Sequence, residues 1–382
     1  MNIAVVGNFG KPVTAFSQGG TEVWTANFIN EFSKKGTCNL YAVKGSLHMP
    51  PQVNLTEVLT DDLDHIKKSS FFLQAPSSDK ELAYFSAALL TKISVILQEH
   101  ISEYDIVVDS CSDMILPFTW DTITRDKPLI IIGHMPVYHR YAKFFQFQQV
   151  PKNVFFVFPS QYQFEEAKWI DNTQKKVIQH GIPLEKIYPD IDPVNKSDLV
   201  WVGRIDPLTP KGLNTAVDTA FQLKKVLRIY GPIEDTTYYK NKIEPKISNS
   251  ILLQTNVHDK NELFKNSRAF LFPIEWEEPF GLVMVESMAT GTPVIAYARG
   301  ATKEIIKDGE TGFLVNPSDI DIRGNFIIKK TGQAGIQEAV ERIYSMPDNE
   351  YARIRQNCRR HVENLFTIEK MVNQYIDFFK TL

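Results

Sequence analysis

The sequence predicts an α/β chain built from two doubly wound halves, and three observations carry that prediction. Its 382 residues exceed what a single hydrophobic core usually serves, roughly 250–300 residues. Short runs rich in Val, Ile, Leu and Phe recur along it, each closed by a glycine, proline or small polar turn and followed by a helical pattern, as buried parallel strands read. The alternation stops once, between Gly181 and Asp198, where Pro183, Pro189 and Pro193 punctuate a mostly polar stretch.

In the first half the strands fall on Ile3–Gly7, Asn39–Val43, Ile106–Asp109, Leu129–Ile132, Val154–Phe158 and Val177–Gln179. Helices fill Thr21–Lys35 and Glu81–His100, with shorter ones near Tyr138–Gln149 and Gln161–Lys168. The second half places strands at Leu199–Val202, Val226–Tyr230, Ile251–Leu253, Ala269–Phe272, Val294–Tyr297 and Phe313–Val315. Its helices begin near Lys211, Thr236, Lys260, Phe280 and Thr302. Gly335–Tyr344, Asn349–Asn364 and Ile368–Thr381 are helical by periodicity. Domains of 1–185 and 195–365 follow, with the terminal helix 366–382 returning to the first. Ligands of such sheets bind beyond the carboxyl ends of strands, so a cleft between two facing halves is the expected site.

Composition narrows the classes of function. Hydrophobic residues at 43% and charged residues at 23% are ordinary for a folded globular chain and exclude disorder. A formal net charge of −3 supplies no general attraction for phosphate backbones, so no nucleic-acid partner is expected. Cys38, Cys111 and Cys358 are scattered, without the spacing of a zinc or redox motif, and read as free thiols of a reducing compartment. Met1-Asn2-Ile3-Ala4-Val5-Val6-Gly7 reads as a strand rather than a signal peptide, and no run of about 18 apolar residues appears, so a cytoplasmic location is expected. The aromatics and bases of Tyr138–Phe147 suit either an amphipathic core helix or a peripheral lean on lipid headgroups.

The densest signal runs from Phe272 to Ala296 and contains Glu277-Glu278-Pro279-Phe280-Gly281-Leu282-Val283-Met284-Val285-Glu286. A strand ends at Pro273, an acidic loop follows, and a helix opens near Phe280 and stops at Gly291, where glycine favours a helix end. The first amides of a helix lack internal partners and its dipole is positive there, so those near Gly281, Leu282 and Val283 suit a diphosphate. Glu278 precedes the helix and Glu286 lies within it, seven residues intervening, so both can face one ligand about two turns apart. Each alone could equally complement the helix dipole or face solvent.

This segment resembles the signature of family 4 retaining glycosyltransferases, which include phosphatidylinositol mannosyltransferases and sucrose-phosphate synthases. Their E-x7-E motif falls on Glu278 and Glu286. The resemblance implies the GT-B fold, with Glu278 at the donor-sugar hydroxyls and Glu286 at the nucleotide ribose. A second family word spans Val202–Gly212, in which Gly203 leads and Arg204 and Lys211 match the basic pair that receives the leaving diphosphate. Fixed cations suit a reaction without a metal, because the departing group gains negative charge. Arg forks onto two oxygens while Lys acts as a point charge.

The resemblance extends to the first half. Gly19 and Gly20 open the first long helix and match the family's glycine-rich loop, which faces donor phosphate and acceptor. His134, after the strand Leu129–Ile132, stands where relatives touch the donor sugar or acceptor. His180-Gly181-Ile182 replaces the usual asparagine by histidine, while Gly231, Val257 and His258 occupy loops that in relatives approach the nucleobase.

The implied reaction is transfer of a sugar from a nucleotide diphosphate, UDP first and GDP second, to a hydroxyl acceptor on a glycan, lipid or protein, with no cofactor. Asp190-Ile191-Asp192 and Asp319-Ile320-Asp321 resemble metal-holding triplets but fall in the linker and in a polar loop, and read as solvated. The rivals are a sugar-nucleotide epimerase of the same architecture and a non-catalytic sugar-nucleotide-binding protein.

Overall fold

The computed structural model describes residues 1–9, 11–14, 19–46, 50–59, 91–111, 116–136, 149–190, 197–207, 210–254 and 259–382. The chain divides into two compact units, Met1–His180 with Ile368–Leu382, and Gly181–Thr367.

The first unit is a seven-stranded parallel sheet in the order β3-β2-β1-β4-β5-β6-β7. Its strands are β1 Asn2–Val6, β2 Thr37–Val43, β3 Val53–Leu59, β4 Ile106–Asp109, β5 Leu129–Ile132, β6 Val154–Phe158 and β7 Lys175–Val177. The central strands are apolar along their length because both faces are covered, one by a core around Trp120, Phe156 and Phe158 and the other by a core around Trp24, Phe28 and Tyr375. The second core joins the helix Gly20–Phe32 to the terminal helix Ile368–Phe379, and the Trp24 indole donates to the Met371 sulfur at 3.2 Å.

The second unit is a six-stranded parallel sheet in the order β10-β9-β8-β11-β12-β13. Here β8 is Asp198–Val202, β9 Leu227–Tyr230, β10 Ile251–Gln254, β11 Ser267–Phe272, β12 Val294–Tyr297 and β13 Gly312–Val315. Helices Leu213–Gln222, Leu282–Ala289, Gly332–Ser345 and Asp348–Leu365 cover it and share one continuous core.

Several expectations shift. The sequence reading passed over β3, whose Val-Asn-Leu-Thr-Glu-Val-Leu alternates instead of running apolar, as an edge strand with one wet face does. It also passed over the helix Leu116–Ile123, and β7 lies two residues earlier than expected. The helices expected from Lys211 and Phe280 begin at Leu213 and Leu282, because Gly212 and Gly281, with φ of 74° and 89°, turn the chain into them. Residues 181–185, expected in the first domain, pack with the second unit: Ile182 is buried in its core and its amide donates to the Phe366 carbonyl at 2.9 Å. Phe366 and Thr367 stay with the second unit for the same reason, so the terminal return to the first unit starts at Ile368.

Gly181–Asp190 is therefore not a loose tether. Buried Arg355 donates to the Asp190 carbonyl at 2.8 Å and Arg359 to the Ile187 carbonyl at 2.8 Å, which ties this stretch to the helix Asp348–Leu365. The helix expected at Tyr138–Gln149, the first half of Glu81–His100 and the Ile191-Asp192 part of the first acidic triplet lie outside the described residues, apart from Gln149. Residues 91–100 are helical.

Candidate functional site

In the second unit the order of strands reverses between β8 and β11, which pair directly in parallel. Loops leaving the carboxyl ends of two such strands diverge to opposite faces and open a crevice. The loop after β8 carries Arg204 and Lys211, and the loop after β11 carries Glu275–Gly281. Both basic residues line one small recess together with Trp201, Asp206, Asn214, Tyr238 and Glu275.

At this point the Lys211 ammonium meets the Glu278 carboxylate, Nζ to Oε2, at 2.7 Å. The Trp276 indole N–H donates to the same oxygen at 2.9 Å, and its ring lies under the ammonium, 4.3 Å from centroid to Nζ. Lys211 is 16% and Glu278 8% exposed at the side chain, so the pair sits in a poorly hydrated place. Arg204 points outward, 48% exposed, with Asp206 Oδ2 3.7 Å away.

Backbone contact sets this geometry. A side chain on Gly212 would put its Cβ 1.8 Å from the Pro273 carbonyl oxygen, so glycine is what lets the chain beside Lys211 reach β11. A Cβ on Gly300 would lie 2.3 Å from the Glu278 carbonyl oxygen, which accepts the Ala301 amide at 2.8 Å. Glu278 is thus gripped from the far side by the loop after β12.

Glu277, its neighbour, turns the other way. It accepts from Arg323 Nη2 at 2.8 Å, from Arg299 Nη1 at 3.2 Å and from the Gly300 amide at 2.6 Å. Asp321 completes the network, with Arg299 Nη2 at 3.0 Å, and the Arg323 guanidinium beside it holds its carboxyl below the usual range. Asp321 was expected to be solvated; it is instead the acid partner of two arginines. Among the described residues, no group of three or more His, Cys, Asp or Glu is placed to hold a metal.

The first unit holds a second cluster at the carboxyl ends of its strands. His134, after β5, accepts or donates through Nε2 to the Ser110 hydroxyl at 2.9 Å, and Ser110, after β4, bonds Thr25 on the helix Gly20–Phe32 at 2.6 Å. The His134 ring packs edge-on against Trp24 at 4.8 Å and tilts over His180 at 5.4 Å. Burial in this aromatic setting lowers the His134 pKa to about 3 and pushes His180 well below its ordinary value, so both rings are neutral near pH 7. Gly19 caps the helix and Gly20 begins it. The buried Glu22 carboxylate folds over Gly19 and accepts from Asn8 Nδ2 at 2.9 Å, so that helix start already carries an acid of its own.

Residues 196–326 match the family described as glycosyl transferases group 1. The second unit carries a glycosyltransferase group 1 domain. Curated relatives include a probable sucrose-phosphate synthase of Thermosipho melanesiensis, 25% identical over 217 residues, which are 53% of this chain and 47% of that protein. They also include the UDP-Gal:alpha-D-GlcNAc-diphosphoundecaprenol alpha-1,3-galactosyltransferase of Escherichia coli, 25% identical over 55% of each chain. A third, an uncharacterized 41.2 kDa protein in the cps region of Klebsiella pneumoniae, is 32% identical over 32% of this chain and 30% of that protein. The chain thus spans about half or less of the length of these relatives.

Solved structures give the fold. The sucrose-phosphate synthase of Thermosynechococcus elongatus superposes with a TM-score of 0.76 at 17% identity, covering 100% of this chain and 98% of that one. HepE of Anabaena in complex with UDP and glucose gives 0.71 at 17% identity, with both chains covered in full. The fold is GT-B, two Rossmann-like domains.

Within the glycosyltransferase domain, Lys211 meets Glu278 and shares a recess with Arg204, and Gly281 adjoins Glu278 at the start of the Leu282–Ala289 helix. Leu282 and Val283 are the first residues of that helix, and Glu286 lies within it, buried. Phe280 is 2% exposed and packs edge-on against Phe366 at 5.8 Å, so its side chain serves the core. Gly203 and Gly231 touch: a Cβ on Gly231 would stand 1.7 Å from the Gly203 carbonyl oxygen. Val257 and His258 lie outside the described residues.

The sequence reading missed Trp276, Arg299 and Arg323 as parts of the site. Trp276 stands inside the Phe272–Ala296 segment, yet only the folded chain shows that its ring lies against Lys211. Arg299 and Arg323 come from the ends of β12 and beyond β13, separations that no local spacing reveals.

Proposed function

We propose that the chain is a retaining, metal-independent glycosyltransferase that moves a sugar from a nucleotide diphosphate, UDP first and GDP second, onto a hydroxyl acceptor. The observation that carries this is Lys211 at the strand-order reversal of the group 1 domain, paired with Glu278 and sharing a recess with Arg204. Two relatives support the UDP preference, one named for a UDP-galactose donor and one solved with UDP and glucose.

Arg204 and Lys211 take up the charge of the leaving diphosphate, with the first amides of the helix Leu282–Ala289 beside them. Glu278 holds the donor-sugar hydroxyls and Glu286 the ribose. As the anomeric carbon becomes oxocarbenium-like, the acceptor hydroxyl attacks from the face the diphosphate leaves, and a phosphate oxygen takes its proton. No cofactor is needed for these steps.

The test is turnover of UDP-sugars and GDP-sugars with glycan, lipid and protein acceptors, with the anomeric configuration of the product read by NMR. The reading requires a retained anomer, activity in EDTA, and losses of about 10²-fold in Arg204→Ala and Lys211→Ala. An inverted product, dependence on a restored divalent ion, or near-normal rates in both variants would each overturn it. Conversion of the nucleotide sugar with no acceptor present would point to an epimerase.

A further inference from the structure

We infer that Trp276 is a positioning residue that holds the two charged groups of the donor site in register, and that it sets how strongly the site reads the sugar rather than the nucleotide. The inference rests on the proposed donor site.

One indole engages both members of the Lys211–Glu278 pair through different parts of its surface. Its N–H donates to Glu278 Oε2 at 2.9 Å, and its π face lies 4.3 Å from the Lys211 ammonium. The same carboxylate oxygen accepts Lys211 Nζ at 2.7 Å. When an incoming diphosphate draws Lys211 toward itself, Glu278 loses a partner for its charge. The indole N–H carries no net charge, so a diphosphate draws it far less than the ammonium, and it stays on Glu278 and keeps the carboxylate aimed while the ammonium is shared. The ring face meanwhile limits where the ammonium can swing, since a cation over an aromatic face is held to a narrow range of positions. The Phe272 ring, 5.8 Å from the same ammonium, is a weaker second support.

The two contacts can be separated by substitution. Trp276→Phe keeps an aromatic face under Lys211 and removes the N–H, whereas Trp276→Leu removes both. In calorimetric titrations with UDP, GDP, UDP-glucose, UDP-galactose and GDP-mannose, Trp276→Phe is expected to bind the free nucleotide within twofold of wild type. The matching nucleotide sugar should bind about tenfold more weakly, the scale of one hydrogen bond to a charged group. Trp276→Leu should weaken both ligands. A Trp276→Phe protein that binds both like wild type, or that weakens both alike, overturns the assignment.

A wild-type protein that binds none of the five would sink the donor-site reading itself, and a second measurement then decides on Trp276 without any ligand. In thermal melts of Trp276→Phe, Glu278→Gln and the double variant, the positioning contact requires the double variant to lose clearly less than the two singles added. Additive losses overturn it.

Discussion

Lys211 and Glu278 form a poorly hydrated ion pair at 2.7 Å, so the cation proposed to receive a diphosphate and the carboxylate proposed to hold a sugar neutralise each other. The resting site thereby avoids burying a lone charge, which is costly in a low-dielectric place.

Removing one partner should expose that cost. Lys211→Ala leaves the Glu278 carboxylate, among the described residues, with the Trp276 indole as its side-chain partner and is expected to lower stability by about 3 kcal/mol. Adding Glu278→Gln neutralises the stranded acid, so the double variant should melt above Lys211→Ala. Melting of the double variant at or below the single would show that the pair is not coupled.

Glu277 makes a comparable prediction on the other side of the loop. Glu277→Ala leaves Arg299 and Arg323 to share Asp321 and deprives the Gly300 amide of its acceptor, at an expected cost on the order of 2–3 kcal/mol. Glu277→Gln keeps an acceptor for Gly300 and should lose less. Thermal melts of both variants check the order.

Gly300→Ala should be damaging although it removes no interaction. Its φ of 55° is unfavourable for a residue with a side chain, and the new Cβ would lie 2.3 Å from the Glu278 carbonyl oxygen. The loop must shift and carry Glu278 with it, so turnover is expected to fall by at least about tenfold. A variant with wild-type turnover and melting would show that this contact does not set the position of Glu278.

The buried His180 and the half-buried His134 predict an acid limb in stability. His134 has a folded pKa of about 3 against an ordinary 6.5, and His180 is shifted in the same direction. Between these values the unfolded chain binds protons that the folded chain refuses, so stability falls as pH drops below about 6.5, by up to about 1.4 kcal/mol per pH unit for each ring. Above that range neither contributes. His134→Gln should flatten the slope between pH 6 and 4 in melts across that range; an unchanged slope would show that His134 is not held neutral.

Much of this was legible before any coordinates. Continuous apolar runs mark strands buried on both faces, so both central sheets could be read, and the motif with Glu278 and Glu286 put the proposed donor site on the loop after β11. What escaped has a physical reason in each instance. β3 alternates like a half-wet edge, and Gly181–Asp190 looks like a linker because its proline-rich backbone is held by distant Arg355 and Arg359 rather than by its own pattern. The partners of Glu277 come from Arg299 and Arg323, far along the chain, and a two-residue motif cannot show which way neighbouring acids point.

Calorimetric titration of UDP and uridine, with GDP and guanosine in parallel, against wild type, Arg204→Ala and Lys211→Ala tests the proposed diphosphate-receiving pocket most directly. Wild type should bind a nucleotide diphosphate far more tightly than its nucleoside, and each variant should lose at least about tenfold for the diphosphate while the nucleoside is unaffected. Diphosphate affinity unchanged in both variants, or a nucleoside bound as tightly as its diphosphate, would contradict the account.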